Sequence, residues 1–362
     1  MRRIRAYSMA VVAISLLALV VPAGVAAGHG FTVVASGLHS PRGLAFGPGH
    51  ILYVAQAGDA TADGAIFQVR NSMSSHPKTR TIASGLAKTA GENPGEYLGL
   101  GGLSVRGRGG NTAIYAVMGE SPQAVAEPFG SLFRFRLNGS KTTVANVGEF
   151  DFDWTGAHAS LWQEFPDANP YAVLALPGHL YVVDAGSNTL DEVMPNGDVH
   201  VLAFFPNEAI RDAVPTCVAQ GPDGALYIGT LALVDTTVLG PSAKVYRIDP
   251  AHANLADPTA TPMSIWASRL FPINGCAFGP DGTFYASELF TNPSHDPAQI
   301  FANPMGDVVK IKFSSPGVHT SMTHGTLGAA AGVAVGPNNS VFVADNTAFV
   351  APGTGRVVRL TP

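Results

Sequence analysis

The chain has 362 residues, of which 46% are hydrophobic and only 13% charged, with 41 Gly, 27 Pro and a formal net charge of −5. This balance excludes a charged disordered chain and a helical coiled coil, and it favours a turn-rich all-β protein with a large core. The mild acidity, which deepens once Arg2, Arg3 and Arg5 are removed, argues against nucleic acid and anionic membrane surfaces as partners.

Residues 1–27 read as a secretory signal peptide. Met1–Tyr7 carries three Arg and no acid, Met9–Val21 is apolar, and Pro22–Ala27 supplies the small residues of a cleavage site after Ala27. The apolar run is shorter than the roughly 20 residues of a membrane span. The expectation is an extracellular, monomeric protein with one domain over 28–362 and no stable membrane span.

From residue 40 onward one pattern recurs six times: an apolar stretch, a Gly/Pro turn, and a second apolar stretch with an aromatic near its start. SPRGLAFGPGHILYVAQ (40–56), PTCVAQGPDGALYIGT (215–230) and NGCAFGPDGTFYASE (274–288) show it plainly. The aligned aromatics are Tyr53, Tyr115, Tyr181, Tyr227, Tyr285 and Phe342. A third strand follows in every repeat and a fourth in all but the last. A spare strand, FTVVASGL (31–38), precedes the first repeat and matches RTIASGL, the fourth strand of that repeat. Periodic four-stranded units with Gly-rich turns predict a six-bladed β-propeller. The spare N-terminal strand is expected to complete the last blade and so remove an exposed edge.

In such a meander successive connections alternate between the two faces of the disc. Tight turns such as Gly221–Gly224 and Gly279–Gly282 lie on one face, and the long connections 87–99, 119–130, 149–168, 231–242 and 289–305 all lie on the other. Long loops on a rigid scaffold are where binding and chemistry concentrate. The second strands end on the long-loop face at Gln56, Met118, Asp184, Thr230, Glu288 and Asp345, closely followed by Asn188, Asn292 and Asn346. The first strands begin there and bring Arg42, Asn169, Thr216 and Asn274 towards the axis. Converging oxygen ligands suit a hard divalent cation such as calcium, with Asp184, Glu288 and Asp345 as its ligands. The same side chains equally suit capping of backbone groups. The connection 149–168 sets five aromatics among five acids, a composition suited to a sugar or aromatic ligand or to a lid that buries its own rings. No His-rich metal spacing, GxSxG elbow or phosphate loop occurs.

SPRGLAFGP, NPYAVLALPGHLYVVDAGSN, NGDVHVLAFFP and VPTCVAQGPDGALYIGT resemble the secreted ScyD/ScyE propeller proteins along the whole mature chain. More distantly the pattern is similar to NHL-repeat and gluconolactonase-like propellers. The resemblance implies export and a propeller, with no settled activity. Gluconolactonase-like relatives imply a metal held by Glu, Asn and Asp at a comparable place, but this chain has Gln56 and Thr230 where Glu is usual. Two functions follow as expectations. One is a binding or scaffold propeller that takes a small molecule, glycan or protein on its long-loop face through Arg42, Gln56, Asn169, Asp184, Asn188, Asn274, Glu288 and Asp345. The other is a divalent-metal-dependent hydrolase or lactonase.

Cys217 and Cys276 fall in the first strands of adjacent repeats, close enough to be neighbours beside the axis. A disulfide needs Cα atoms within about 7 Å; two small buried thiols are the alternative.

Overall fold

The structure, a computed structural model, describes residues 30–91, 95–119 and 128–361. The leader read over 1–27 and the middle of the 119–130 connection lie outside the described residues.

Strand identity follows from alternation and punctuation. Segments such as Ile51–Gln56 and Leu226–Thr230 are runs of apolar and β-branched residues bounded by Gly, Pro, Asn and Asp. In the turn at Gly221–Gly224, the N–H of Gly224 donates to the carbonyl of Gly221 at 3.0 Å, and Gly224 takes φ +82, which a side chain would resist.

Six antiparallel four-stranded sheets form, one per repeat. Blade 1 runs Pro41–Gly47, Ile51–Gln56, Gly64–Arg70 and Lys78–Leu86; blade 3 runs Pro170–Leu176, His179–Asp184, Thr189–Val193 and Val199–Phe204. The last blade takes its outer strand from the other end of the chain. Phe31–Leu38 pairs antiparallel with Gly355–Leu360, Phe31 opposite Leu360 and Leu38 opposite Gly355. A second clasp lies beside this seam, where the Gly353 N–H of the last blade donates to the carboxylate of Asp59, which follows the second strand of blade 1, at 3.0 Å.

The recurring aromatic explains the repeat. Tyr53, Tyr181, Tyr227, Tyr285 and Phe342 are all buried, each in a hydrophobic cluster shared with the next blade. Tyr53 packs with Leu103 and Ile114 of blade 2, and Tyr227 with Phe284 of blade 5. Burying each ring stabilises by roughly 1.5–3 kcal/mol.

The inner strands approach closely. A Cβ on Gly43 would lie 2.7 Å from the Leu103 nitrogen, and one on Gly102 would lie 2.6 Å from the Ala172 Cα. These glycines permit the backbones of blades 1, 2 and 3 to close around the axis. Between blades 4 and 5 the inner strands are covalently joined: Cys217 and Cys276 form a disulfide with Cα atoms 5.7 Å apart.

Two outcomes follow. Deleting residues 30–38 leaves Gly355–Leu360 as an open edge, so the truncated protein should lose most of its thermal stability and aggregate. An unfolding midpoint equal to that of the complete ring would contradict this role. Replacing both cysteines by Ala opens a link across 59 residues of sequence and should lower stability by about 2–4 kcal/mol in denaturant titration.

Candidate functional site

The axis of the propeller is a narrow channel lined by the inner strands of all six blades. Its cavity is about 70 Å³. Since one water occupies about 10–15 Å³ on this measure, the channel holds a few waters or the head of a small group.

The side chains at the channel are set by backbone irregularity. The inner strand of five blades bulges at its start. The pairing register skips between Pro41 and Leu44, Leu100 and Leu103, Pro170 and Ala172, Pro215 and Cys217, and Ile273 and Gly275. A bulged residue has no partner opposite it and its side chain is re-aimed. In blades 1, 3, 4 and 5 the bulges contain Arg42, Tyr171, Thr216 and Asn274, and all four line the channel.

Three of them form one relay. Arg42 donates to the Tyr171 hydroxyl at 3.2 Å and to the carbonyl of Tyr97 at 2.9 Å. Tyr171 donates to Asn274 Oδ1, and Asn274 donates to the carbonyl of Ala330 at 3.1 Å. The Thr216 hydroxyl is spent on the carbonyl of Ile273 at 2.5 Å. Tyr97 belongs to the small hairpin Thr89–Ala90/Tyr97–Leu98, so Arg42 also tethers the first long connection beside the mouth.

Arg42 and Asn274 therefore stand where the sequence placed them. In blade 3 the equivalent of Arg42 is Tyr171, two residues beyond the expected Asn169. The prolines carry the signal for this: Pro170-Tyr171 aligns with Pro41-Arg42 and Pro215-Thr216. Asn169 instead contributes its backbone N–H to Asp184.

The second-strand ends have a different task. Gln56 accepts from the His39 N–H at 2.9 Å, Asp184 from Asn169 at 2.7 Å, Glu288 from Phe271 at 2.9 Å and Asp345 from Gly328 at 2.7 Å. Each side chain holds the segment that leads into its own blade's inner strand. Asp345 is further engaged by both Nε and Nη2 of Arg356 at 2.7 Å. Asn188 accepts from the Val214 N–H at 2.8 Å and donates to Asp212, tying blade 3 to blade 4. Asp184, Glu288 and Asp345 do not meet. Among the described residues no group of three His, Cys, Asp or Glu is placed to hold a metal ion.

The acids of blade 3 form a cluster that the sequence did not reveal. Part of the 149–168 connection is a helix, Val147–Ala157 (α1), capped by Asn146. It delivers Asp151 beside Asp184 and Asp191, and all three carboxyls are completely buried. Asp184 Oδ1 accepts three backbone N–H groups, and Asp191 accepts from Thr189. Both oxygens of Asp151, Oδ2 of Asp184 and Oδ1 of Asp191 have no donor outside the cluster, while Asp151 is within hydrogen-bonding reach of both Asp184 and Asp191. Burial and then the neighbouring carboxylates push Asp151 and Asp191 well above the usual carboxylate range. Burial also raises Asp184, against the pull of its N–H donors. Nearby Asp167 rises to about 6, by burial and then by the charge of Asp184. Elsewhere on the face, burial lifts Glu288 to about 7, partly offset by the Phe271 N–H. The outer side of α1 forms a groove of about 630 Å³, where Phe150, Trp154 and His158 face His200 and Leu255.

No family model matches this chain, and no curated protein matches it. Solved structures do. The chain is similar to the PQQ-bound aldose sugar dehydrogenase of Streptomyces coelicolor, with a TM-score of 0.57 at 14% identity over 91% of this chain and 96% of that one. It is similar to a gluconolactonase of Xanthomonas campestris, with a TM-score of 0.55 at 12% identity over 92% and 89%. A chain of the nidogen/laminin complex gives 0.50 at 15% identity over 78% and 83%. At such identities the likeness is one of fold alone: a β-propeller.

The raised carboxyls set a pH dependence. Each binds its proton more tightly folded than unfolded, so its contribution is complete below the unfolded value and is lost as pH rises through the folded one. For Glu288 the window runs from 4.5 to about 7, worth roughly 3 kcal/mol. Thermal stability should therefore fall between pH 5 and pH 8. Glu288→Gln and Asp151→Asn should each flatten that slope in calorimetry, while a slope unchanged in both variants would refute the assignment.

Proposed function

We propose that this chain is an exported binding propeller of the ScyD/ScyE kind, which takes its ligand on the long-loop face with the channel mouth as the primary contact. The observation that carries this reading is the set of bulges that turn Arg42, Tyr171, Thr216 and Asn274 to one narrow opening. Bulges that re-aim side chains are characteristic of functional sites. The described channel lining contains neither a carboxylate nor a histidine. It presents hydrogen-bond donors and acceptors without a general base, which suits recognition better than hydrolysis. The acids that a metal-dependent lactonase would use are committed to backbone N–H groups and to Arg356.

Export is supported by the charged, apolar and small-residue order of residues 1–27. The fold does not separate the two functions, because its structural neighbours include both enzymes and a chain of the nidogen/laminin complex.

The decisive experiment uses protein recovered after export from its own leader. Its N terminus should begin after Ala27. With gluconolactone and added Ca²⁺ or Zn²⁺, turnover should not exceed the uncatalysed rate. A glycan and metabolite binding panel should yield a ligand whose affinity falls at least roughly tenfold in Asn274→Ala. Metal-dependent turnover abolished by Glu288→Gln would replace this reading with the hydrolase.

A further inference from the structure

Among the described residues, Arg42 is a buried cation without a counter-charge. It is only 9% exposed, and among the described residues no carboxylate lies within ion-pair distance of it. Its acceptors, the Tyr171 hydroxyl and the Tyr97 carbonyl, are both neutral. Removing a guanidinium from water is costly unless an opposite charge faces it. Elsewhere the chain supplies that charge: Arg356 is gripped by Asp345, Arg247 by Asp223 and Lys244 by Glu208.

The surroundings of Arg42 are polarised in one sense. The relay from Arg42 through Tyr171 and Asn274 to Ala330 points every proton away from the guanidinium, and Thr216 is spent on Ile273. None of these side chains offers a negative charge to Arg42. The guanidinium has five N–H donors, and its neutral acceptors engage two of its nitrogens, leaving the remaining donors of the fork for a planar oxyanion. The opening beside it, about 70 Å³, is the size of a carboxylate head and a few waters. Binding sites for whole sugars and redox cofactors run to several hundred Å³ (roughly 300–1,000).

We propose that the channel mouth binds a carboxylate group through the guanidinium of Arg42. The anion supplies a counter-charge that no described residue provides, and Tyr171 and the Tyr97 carbonyl hold the guanidinium in place to receive it. This rests on the reading of the mouth as a binding site and names the charge of what enters. The carboxylate belongs either to a free small acid or to the end of a longer ligand that continues across the long-loop face.

The test is thermal unfolding of the intact protein at pH 7 and constant ionic strength, with sodium formate or acetate replacing perchlorate. Formate should raise the midpoint saturably, by roughly 2–5 °C at millimolar concentrations. Arg42→Gln, which keeps neutral donors but removes the charge, should abolish the saturable part. Tyr171→Phe should keep the response and move its half-saturation severalfold. Should Arg42→Gln not fold, line broadening of ¹³C-formate by the unaltered protein, reversed by unlabelled acetate, gives the same answer. A longer acid such as hexanoate that competes more strongly than formate identifies the end of an extended ligand; weaker competition identifies a free small acid. Equal responses in the unaltered protein and Arg42→Gln, or no broadening of formate, overturn the proposal. A neutral ligand from the binding panel lost in Asn274→Ala would then leave the binding reading standing with the charge corrected.

Discussion

Six strands can surround one axis only where their backbones nearly touch. That constraint sits beneath most of what distinguishes this propeller. Gly43 and Gly102 have no room for a Cβ because the neighbouring inner strand already occupies it. Where blades 4 and 5 meet, the same proximity brings Cys217 and Cys276 within bonding reach. The constraint also makes the N-terminal strand indispensable. Inner strands remain packed only while the ring is closed, and closure depends on Phe31–Leu38 pairing with Gly355–Leu360.

Close packing also separates residues that look alike in the sequence. A side chain in regular register on an inner strand packs against its neighbours. A bulged residue has no opposite partner, and here the bulges carry Arg42, Tyr171, Thr216 and Asn274 to the channel. The acids and amides at the second-strand ends are one layer further out. They are drawn into the corners of their own blades by the N–H groups of the incoming chain. Polarity at a strand end is shared by both sets, and backbone geometry divides them into channel lining and internal caps.

The long-loop face carries two opposite electrostatic situations within one domain. At the channel the Arg42 guanidinium has no anion among the described residues. Beneath α1, four oxygens of Asp151, Asp184 and Asp191 have no donor from outside the cluster. The acidic cluster relieves its own repulsion by keeping protons, which carboxyls can do at moderate cost in pKa. A guanidinium has no comparable escape, since it remains charged at any physiological pH. Burial thus makes the cluster pH-sensitive, and at the channel it is the basis for the proposed anionic ligand.

Much of this was legible in the residues alone. The recurring Tyr or Phe, the Gly-Pro turns and the displaced FTVVASGL strand determined six blades, ring closure and the parity of the loops, because each is a local pattern repeated until only one architecture accommodates it. Arg42 and Asn274 were legible as channel residues by the same alignment. In blade 3 the polar Asn169 drew the channel assignment away from Tyr171, although Pro170-Tyr171 aligns with Pro41-Arg42 and Pro215-Thr216. The roles of Gln56, Asp184, Glu288 and Asp345 and the meeting of Asp151 with Asp191 belong to the tertiary structure. Which N–H lies opposite a carboxylate depends on where a distant segment enters the blade, and a helix in the 149–168 connection can carry an acid into a neighbouring blade only after that blade has formed.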